Sequence, residues 1–179
     1  MALCPQFRLF AAYNALMNRR MLQSVAQLDD QALRADRGAF FGSVLGTLNH
    51  TLVGDLIWLK RFAGHPAFAS ALAPIMPFEQ PASLDALLYG DLDDFGRVRE
   101  TVDSTLTGWI DGLSEADTDR LLTYHDTAGT PHCKHVGSLI SHLFLHQTHH
   151  RGQITTLLSQ VGIDFGETDI LEILPEKAP

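Results

Sequence analysis

The sequence predicts an all-α protein, an up-down four-helix bundle with a short hairpin or crossover before its last long helix. Three observations carry this. Four long stretches repeat apolar residues at helical spacing. Every proline falls outside these stretches, most densely over Gly64 to Ser83. Only one short stretch, Leu121 to His135, alternates like paired strands. Long amphipathic helices with few strands bury their apolar faces by packing on one another.

The first helix is read over Phe7 to Leu28, where Phe10, Tyr13, Leu16 or Met17, Met21, Val25 and Leu28 recur at helical spacing. The polar run Asp29 to Gly38 reads as a connection. A second helix runs from Phe41 to Ala63, with Val44, Leu45, Leu48, Leu52, Leu56 and Leu59 on one stripe. His50 lies nearly opposite, beside Val53 and Ile57, so this helix is apolar on two sides and forms an inner wall. Gly46 and Gly54 flank His50 by one turn each. Glycine inside a helix costs about 1 kcal/mol against alanine, so the pair suggests either close helix packing or space kept beside the ring. The proline-bearing segment Gly64 to Ser83 reads as a long loop, with His65 at the surface. A third helix is expected from Ser83-Leu84-Asp85 to Leu113, its acids Asp91, Asp93, Asp94, Glu100 and Asp103 facing solvent. The fourth runs from Gly137 to Val161 and stops at Gly162. The acidic tail Ile163 to Pro179 carries Ile170, Leu171, Ile173 and Leu174, which can pack back on the bundle. A chain of 179 residues suits one domain spanning 1–179.

Composition excludes several classes. The chain is 45% hydrophobic and 19% charged, and its 21 acidic against 13 basic side chains leave a formal charge of −8, opposite to what a phosphate-backbone binder needs. No apolar run reaches the roughly 18 residues that span a bilayer, and the Phe7–Met17 patch lacks a cleavage site, so a cytoplasmic protein without membrane or nucleic-acid partners is expected. Cys4 and Cys133 read as free thiols.

The fourth helix carries the chemistry. His142, His146 and His150 follow at four-residue steps, each about 40° round from the last, so three imidazoles share one face. Leu139, Leu143, Ile154 and Leu157 lie near that face, which turns the row inward. Imidazoles buried among leucines need hydrogen-bond partners or a metal ion. If His50 meets the row, three neutral imidazoles with a position left open describe a catalytic-type zinc or nickel centre. Spacing alone leaves open whether His142/His146 or His146/His150 completes it. Gln153, one turn past His150, is placed to orient a ring or a bound water, and Tyr13 or Asn14 and Asn49 are further candidates for polar support. His149 points about 60° off the row. His125, His132 and His135 on the expected hairpin read as a polar surface near the site, since no second Cys/His pair with zinc-finger spacing follows. The chain lacks the His-Glu-x-x-His of zincin proteases, the Glu-x-x-His of di-iron bundles and the Gly-x-Ser-x-Gly elbow of serine hydrolases.

At YNALMNRR (13–20), GAFFGSVLGTLNHTLVGDLIWLKRFAG (38–64) and HLFLHQTHHRGQI (142–154) the sequence resembles the DinB/YfiT-like family of small bacterial bundle proteins. That resemblance implies a divalent metal, zinc or nickel, held by His50, His146 and His150, with His142 behind them, and it implies a homodimer. Relatives include thiol-dependent S-transferases and isomerases, so a low-molecular-weight thiol is a candidate second cofactor. The function expected is activation of a small thiol or water for transfer to, or hydrolysis of, a small-molecule substrate. The rival is a non-catalytic metal- or ligand-binding stress protein whose ion only ties two helices together.

Overall fold

The computed structural model describes residues 2–174 and 176. Within them lie helices α1 (Cys4–Val25), α2 (Asp30–Arg34), α3 (Val44–Ala63), α4 (Leu92–Asp111), α5 (Glu115–Thr118) and α6 (Val136–Ser159), and strands β1 (Leu121–His125) and β2 (Pro131–His135). Two short 3₁₀ turns, Ala73–Ile75 and Ile170–Ile173, complete the described elements. None of the helices is long and apolar enough to cross a membrane.

The long helices α1, α3, α4 and α6 form the expected bundle, with α1 against α4 and α6, and α3 against α6 and α4. Side-chain pairings give their directions. Arg8 near the start of α1 meets the carbonyls of Asp111 and Leu113 at the end of α4, and Asn18 meets Asp103, so these two run antiparallel. His50 faces His150 while Trp58 faces His142, which sets α3 antiparallel to α6. Asp55 pairs with Arg99 and Phe62 packs on Trp109, so α3 and α4 run side by side in the same sense. The order is therefore up, down, down, up. Parallel neighbours cannot be joined by a tight turn, because the chain must travel back along a helix of twenty residues, about 30 Å. The long 64–91 segment makes that return and passes the histidines on its way.

Local chemistry explains the helix boundaries. Glu115 accepts from the backbone N–H groups of Leu3 and Cys4 at 2.8 and 2.9 Å, capping α1 from across the bundle. Ser43 caps α3 through the Gly46 N–H, so this helix starts three residues later than Phe41. The presumed connection 29–38 contains α2, capped by Asp29 accepting from the Ala32 N–H. The largest departure is at α4, whose N-cap is Asp91, accepting from the N–H groups of Asp93 and Asp94. Leu84, read as part of the start of that helix, and Leu87, one turn further on, are instead about half exposed on the return segment. Asp103 is not on an exposed side either. It is 8% exposed and paired with Arg99.

The alternating stretch forms the antiparallel hairpin, with Leu121 opposite His135 and His125 opposite Pro131. Gly129 turns it at φ 84° and Gly162 ends the last helix region at φ 79°, conformations that cost a side chain dearly. The tail does pack back. Ile163 and Phe165 join the core, Arg20 pairs with Glu172, and Tyr13 donates to the Thr168 carbonyl. Leu171 and Leu174, expected to pack with them, are 69% and 40% exposed. Both cysteines are free thiols, Cys4 buried and Cys133 exposed.

Candidate metal centre

α3 is the innermost helix, with most of its residues buried, and His50 sits on the side that faces α6. One turn later Gly54 leaves a gap. A Cβ there would lie 2.7 Å from Cε1 of His146, so the missing side chain is what admits that ring. A Cβ at Gly46 would strike the Phe41 carbonyl, so the other glycine admits the 38–42 turn. That turn lays Phe41 flat on His50, with ring centroids 3.8 Å apart and planes 17° from parallel.

Nε2 of His50 lies 3.1 Å from Nε2 of His146 and 3.1 Å from Nε2 of His150. One nitrogen from each of the three falls within 4.8 Å of the others. Across the same face His50 is 5% and His150 8% exposed, and His146 is partly exposed.

The outer nitrogens decide what the inner ones carry. Nδ1 of His50 is 2.7 Å from the Leu84 carbonyl, which only accepts, so Nδ1 bears the hydrogen. Nδ1 of His150 likewise donates to Oε1 of Gln153 at 2.7 Å. The Gln153 amide is oriented by its own Nε2, which faces His149 at 3.4 Å. In the neutral rings the inner nitrogens of His50 and His150 are therefore bare, and two lone pairs point at each other across 3.1 Å. Protonation is an expensive remedy. Burial pushes all three rings below the ordinary histidine range. His146 falls to about 3, chiefly through burial and then through the neighbouring His150 and His50. A cation held between them would resolve the conflict. Two nitrogens bound at 2.0–2.1 Å stand about 3.3 Å apart at a tetrahedral ion and about 2.9 Å apart at a right angle, and the observed spacing falls between. The donor set fits a divalent ion, and among the described residues no fourth His, Cys, Asp or Glu joins the group.

The other sequence candidates are dispersed. His142 lies one turn beyond His146, with centroids 5.9 Å apart, and packs edge-on to Trp58 at 5.2 Å. Gln153 holds His150 as described. Asn49 does not face the histidines. It clasps the return segment, accepting from the Tyr89 N–H at 2.9 Å and donating to the Tyr89 carbonyl at 2.9 Å. Tyr13 and Asn14 lie on the far side of α6, beside Arg151. Of the hairpin histidines, His132 meets Asp126 and His135 the Asp119 carbonyl, and none joins the cluster. His65 accepts from the Ala67 N–H and is partly exposed. Two contributors escaped the sequence reading. Phe41 had a visible signal, an aromatic pair just before the capping Ser43. The Leu84 carbonyl had none, because any residue supplies one.

A helical bundle with a buried three-histidine cluster able to bind a metal defines the class. The comparisons make the family definite: the DinB family model matches residues 4–176, and the chain belongs to the DinB family. It is 25% identical over 165 residues to Protein DinB of Bacillus subtilis strain 168, covering 91% of this chain and 90% of that one. No solved structure matches it.

Proposed function

We propose that the protein is a metal-dependent enzyme in which His50, His146 and His150 hold zinc or nickel, and that it activates a small thiol or water for transfer or hydrolysis. The carrying observation is the pair of bare nitrogens aimed at each other, with both rings locked from behind by hydrogen-bond acceptors. Such an ion supplies Lewis acidity that brings the pKa of a water or thiol toward neutrality. The protein supplies the rest. The Leu84 carbonyl and Gln153 fix two rings in the tautomer that exposes Nε2, Phe41 covers the His50 face, and the partly exposed side of His146 gives a small electrophile access.

The test is elemental analysis of untagged protein beside His50→Ala and His146→Ala, followed by a turnover screen with low-molecular-weight thiols and electrophiles. One equivalent of metal lost in both variants, with turnover lost in parallel, is the expected result. A second reading, a structural ion without turnover, draws on the position of the donors between α3 and α6, where an ion would clamp the two helices. Metal without turnover across thiol and hydrolytic substrates selects that reading, and metal-free wild type overturns both. Homodimer formation, implied by the family resemblance, belongs to the same proposal and is checked by light scattering on eluting protein.

A further inference from the structure

The face of α3 that carries His50 continues past the metal centre. Gly54, Ile57 and Arg61 follow on it, all within about 60° round the helix, and Ile57 stands about 4.5 Å along the axis from the glycine that admits His146. There a cavity of about 380 Å³ opens between α3, the return segment 80–83 and the hairpin turn 125–127. Its Ser83 wall directly precedes Leu84, whose carbonyl holds His50. The volume, near the small end of ligand sites, suits a small molecule.

The charge on that lining is unequal. Lys60 and Arg61 are on it, and Asp126 is its one carboxylate. Asp126 is already engaged, facing Nε2 of His132 at 3.1 Å and accepting from the N–H groups of Ala128 and Thr130. Lys60 donates to the Phe78 carbonyl. Arg61 is different. Its guanidinium lies 4.7 Å over the Trp58 ring and 5.0 Å over the Tyr124 ring, and no hydrogen bond or ion pair among the described residues takes up any of its N–H groups. The ring faces attract the charge and hold the group in place without offering it an oxygen. The side chain is half-buried, and burial pushes the guanidinium below its usual range, with Tyr124 and Asp126 opposing. A planar fork steadied by two rings, partly desolvated and free along its N–H edge, is matched by a carboxylate. It also stands close to the histidine row. Trp58, under the guanidinium, packs on His142 at 5.2 Å, and His142 neighbours His146 at 5.9 Å.

We propose that this cleft is the subsite for a carboxylate of the small-molecule substrate, received by Arg61 with Lys60 at its flank, while the reacting end of the same molecule lies toward His146. The placing of the reacting end rests on the metal-enzyme reading above, whereas the anion subsite stands on Arg61 and its cleft. A neutral or cationic molecule of the same shape leaves the fork unfilled and binds less well.

The experiment has two arms. Metal-free full chain is titrated with hexanoate and with hexanamide, followed by the NMR signal of the Arg61 Nε–H. Expected are saturable hexanoate binding about tenfold tighter than that of hexanamide and a shift of that signal. The preference disappears in Arg61→Gln and in Thr127→Glu, which sets a competing carboxylate on the cleft wall and leaves Arg61 in place, and it survives in His146→Ala. Nickel-loaded chain is then titrated with thiol-terminated mercaptohexanoate and mercaptohexanol, read by thiolate-to-nickel absorption. The acid is expected to bind tighter than the alcohol by a similar factor, and Arg61→Gln closes the gap. Equal affinity for hexanoate and hexanamide, or a preference that persists in Arg61→Gln or Thr127→Glu, would overturn the anion subsite whatever the ion does. Two thiols of equal affinity would overturn the joining of carboxylate and ion in one substrate. Hexanoate binding with neither thiol reaching the ion upholds the subsite and overturns thiol activation at the metal instead.

Discussion

Residues five apart on α3 anchor two buried polar clusters that solve the same problem in opposite ways. On one side Asp55 meets Arg99 at 2.6 Å, and Arg99 meets Asp103 at 2.7 Å, with Asn18 closing the far carboxylate. On the other, His50 meets His146 and His150. The first cluster contains its own counter-charges. Burial pushes both carboxyls up, and the guanidinium between them opposes that shift. The second contains donors of lone pairs and no protein cation to receive them. A cluster whose charged groups find opposite charges within the chain is structural, whereas one that converges on an unmet need is shaped for something outside it.

The sharpest way to break this comparison is to remove Arg99. Arg99→Met leaves two carboxyls buried without their partner and is expected to cost about 3–5 kcal/mol in urea unfolding, while the metal stoichiometry of the folded fraction stays unchanged. Replacing Asp55, Arg99 and Asp103 together by apolar residues of similar volume is expected to restore most of that loss. If the triple variant also loses metal, the two clusters are one unit and the distinction fails.

The histidine cluster should behave in reverse. His146→Ala removes a converging lone pair, so the metal-free stability is expected to change little, but stabilisation by added metal disappears. In the wild type that stabilisation is about 2.7 kcal/mol at metal concentrations one hundred times the Kd, read as a shift in thermal midpoint with and without chelator. Proton linkage sharpens the point. The folded pKa of His146, about 3, lies below the ordinary histidine value of 6.5, so the unfolded chain binds more protons between them. The contribution of this ring to stability is fully present above pH 6.5 and is lost as pH falls toward 3. The slope of urea-derived stability against pH in that window should shrink in His146→Ala, and an unaltered slope would show that the ring is not buried as described.

Much of this was legible in the sequence, for physical reasons that also mark where legibility ends. Helical spacing exposed the four long helices because each must bury a continuous stripe, and the His142-His146-His150 row followed from the same geometry. The start of α4 was hidden. Leu84 and Leu87 have the right spacing, but Asn49 grips Tyr89 and His50 engages the Leu84 carbonyl, so tertiary hydrogen bonds hold the segment out of a helix. Asp103 was misplaced because an acid among acids reads as solvated, and only a partner on the same helix four residues back, itself buried against α3, draws it inward. The up-down expectation did not extend to which neighbours run parallel, since no local signal specifies that, and the order up, down, down, up emerged only from the side-chain pairings. Gly46 and Gly54 were noticed as space, but what fills that space, the Phe41 carbonyl and the His146 ring, depends on two other parts of the fold.

That last point gives a graded test. Gly54→Ala places a methyl against the His146 ring and should weaken metal affinity by displacing one donor, with little change in the helix itself, because alanine favours the helical state by about 1 kcal/mol. Competition against a chromophoric chelator reads the affinity. An unaltered Kd would mean that His146 moves freely, and that the gap serves packing alone.

The smallest effect is expected at Gln153, which touches no metal position but accepts from Nδ1 of His150 at 2.7 Å. Gln153→Ala frees that ring to turn or to carry its hydrogen on the inner nitrogen, and about 10–100-fold in metal affinity should be lost, the range typical when such a supporting contact is removed. Gln153→Glu keeps an acceptor and adds charge, so affinity should return or rise. A ring held only by packing would leave both variants at wild-type affinity. The contrast between the clusters would then narrow, because the histidines would owe their tautomer to Leu84 and to close packing rather than to a built frame of acceptors.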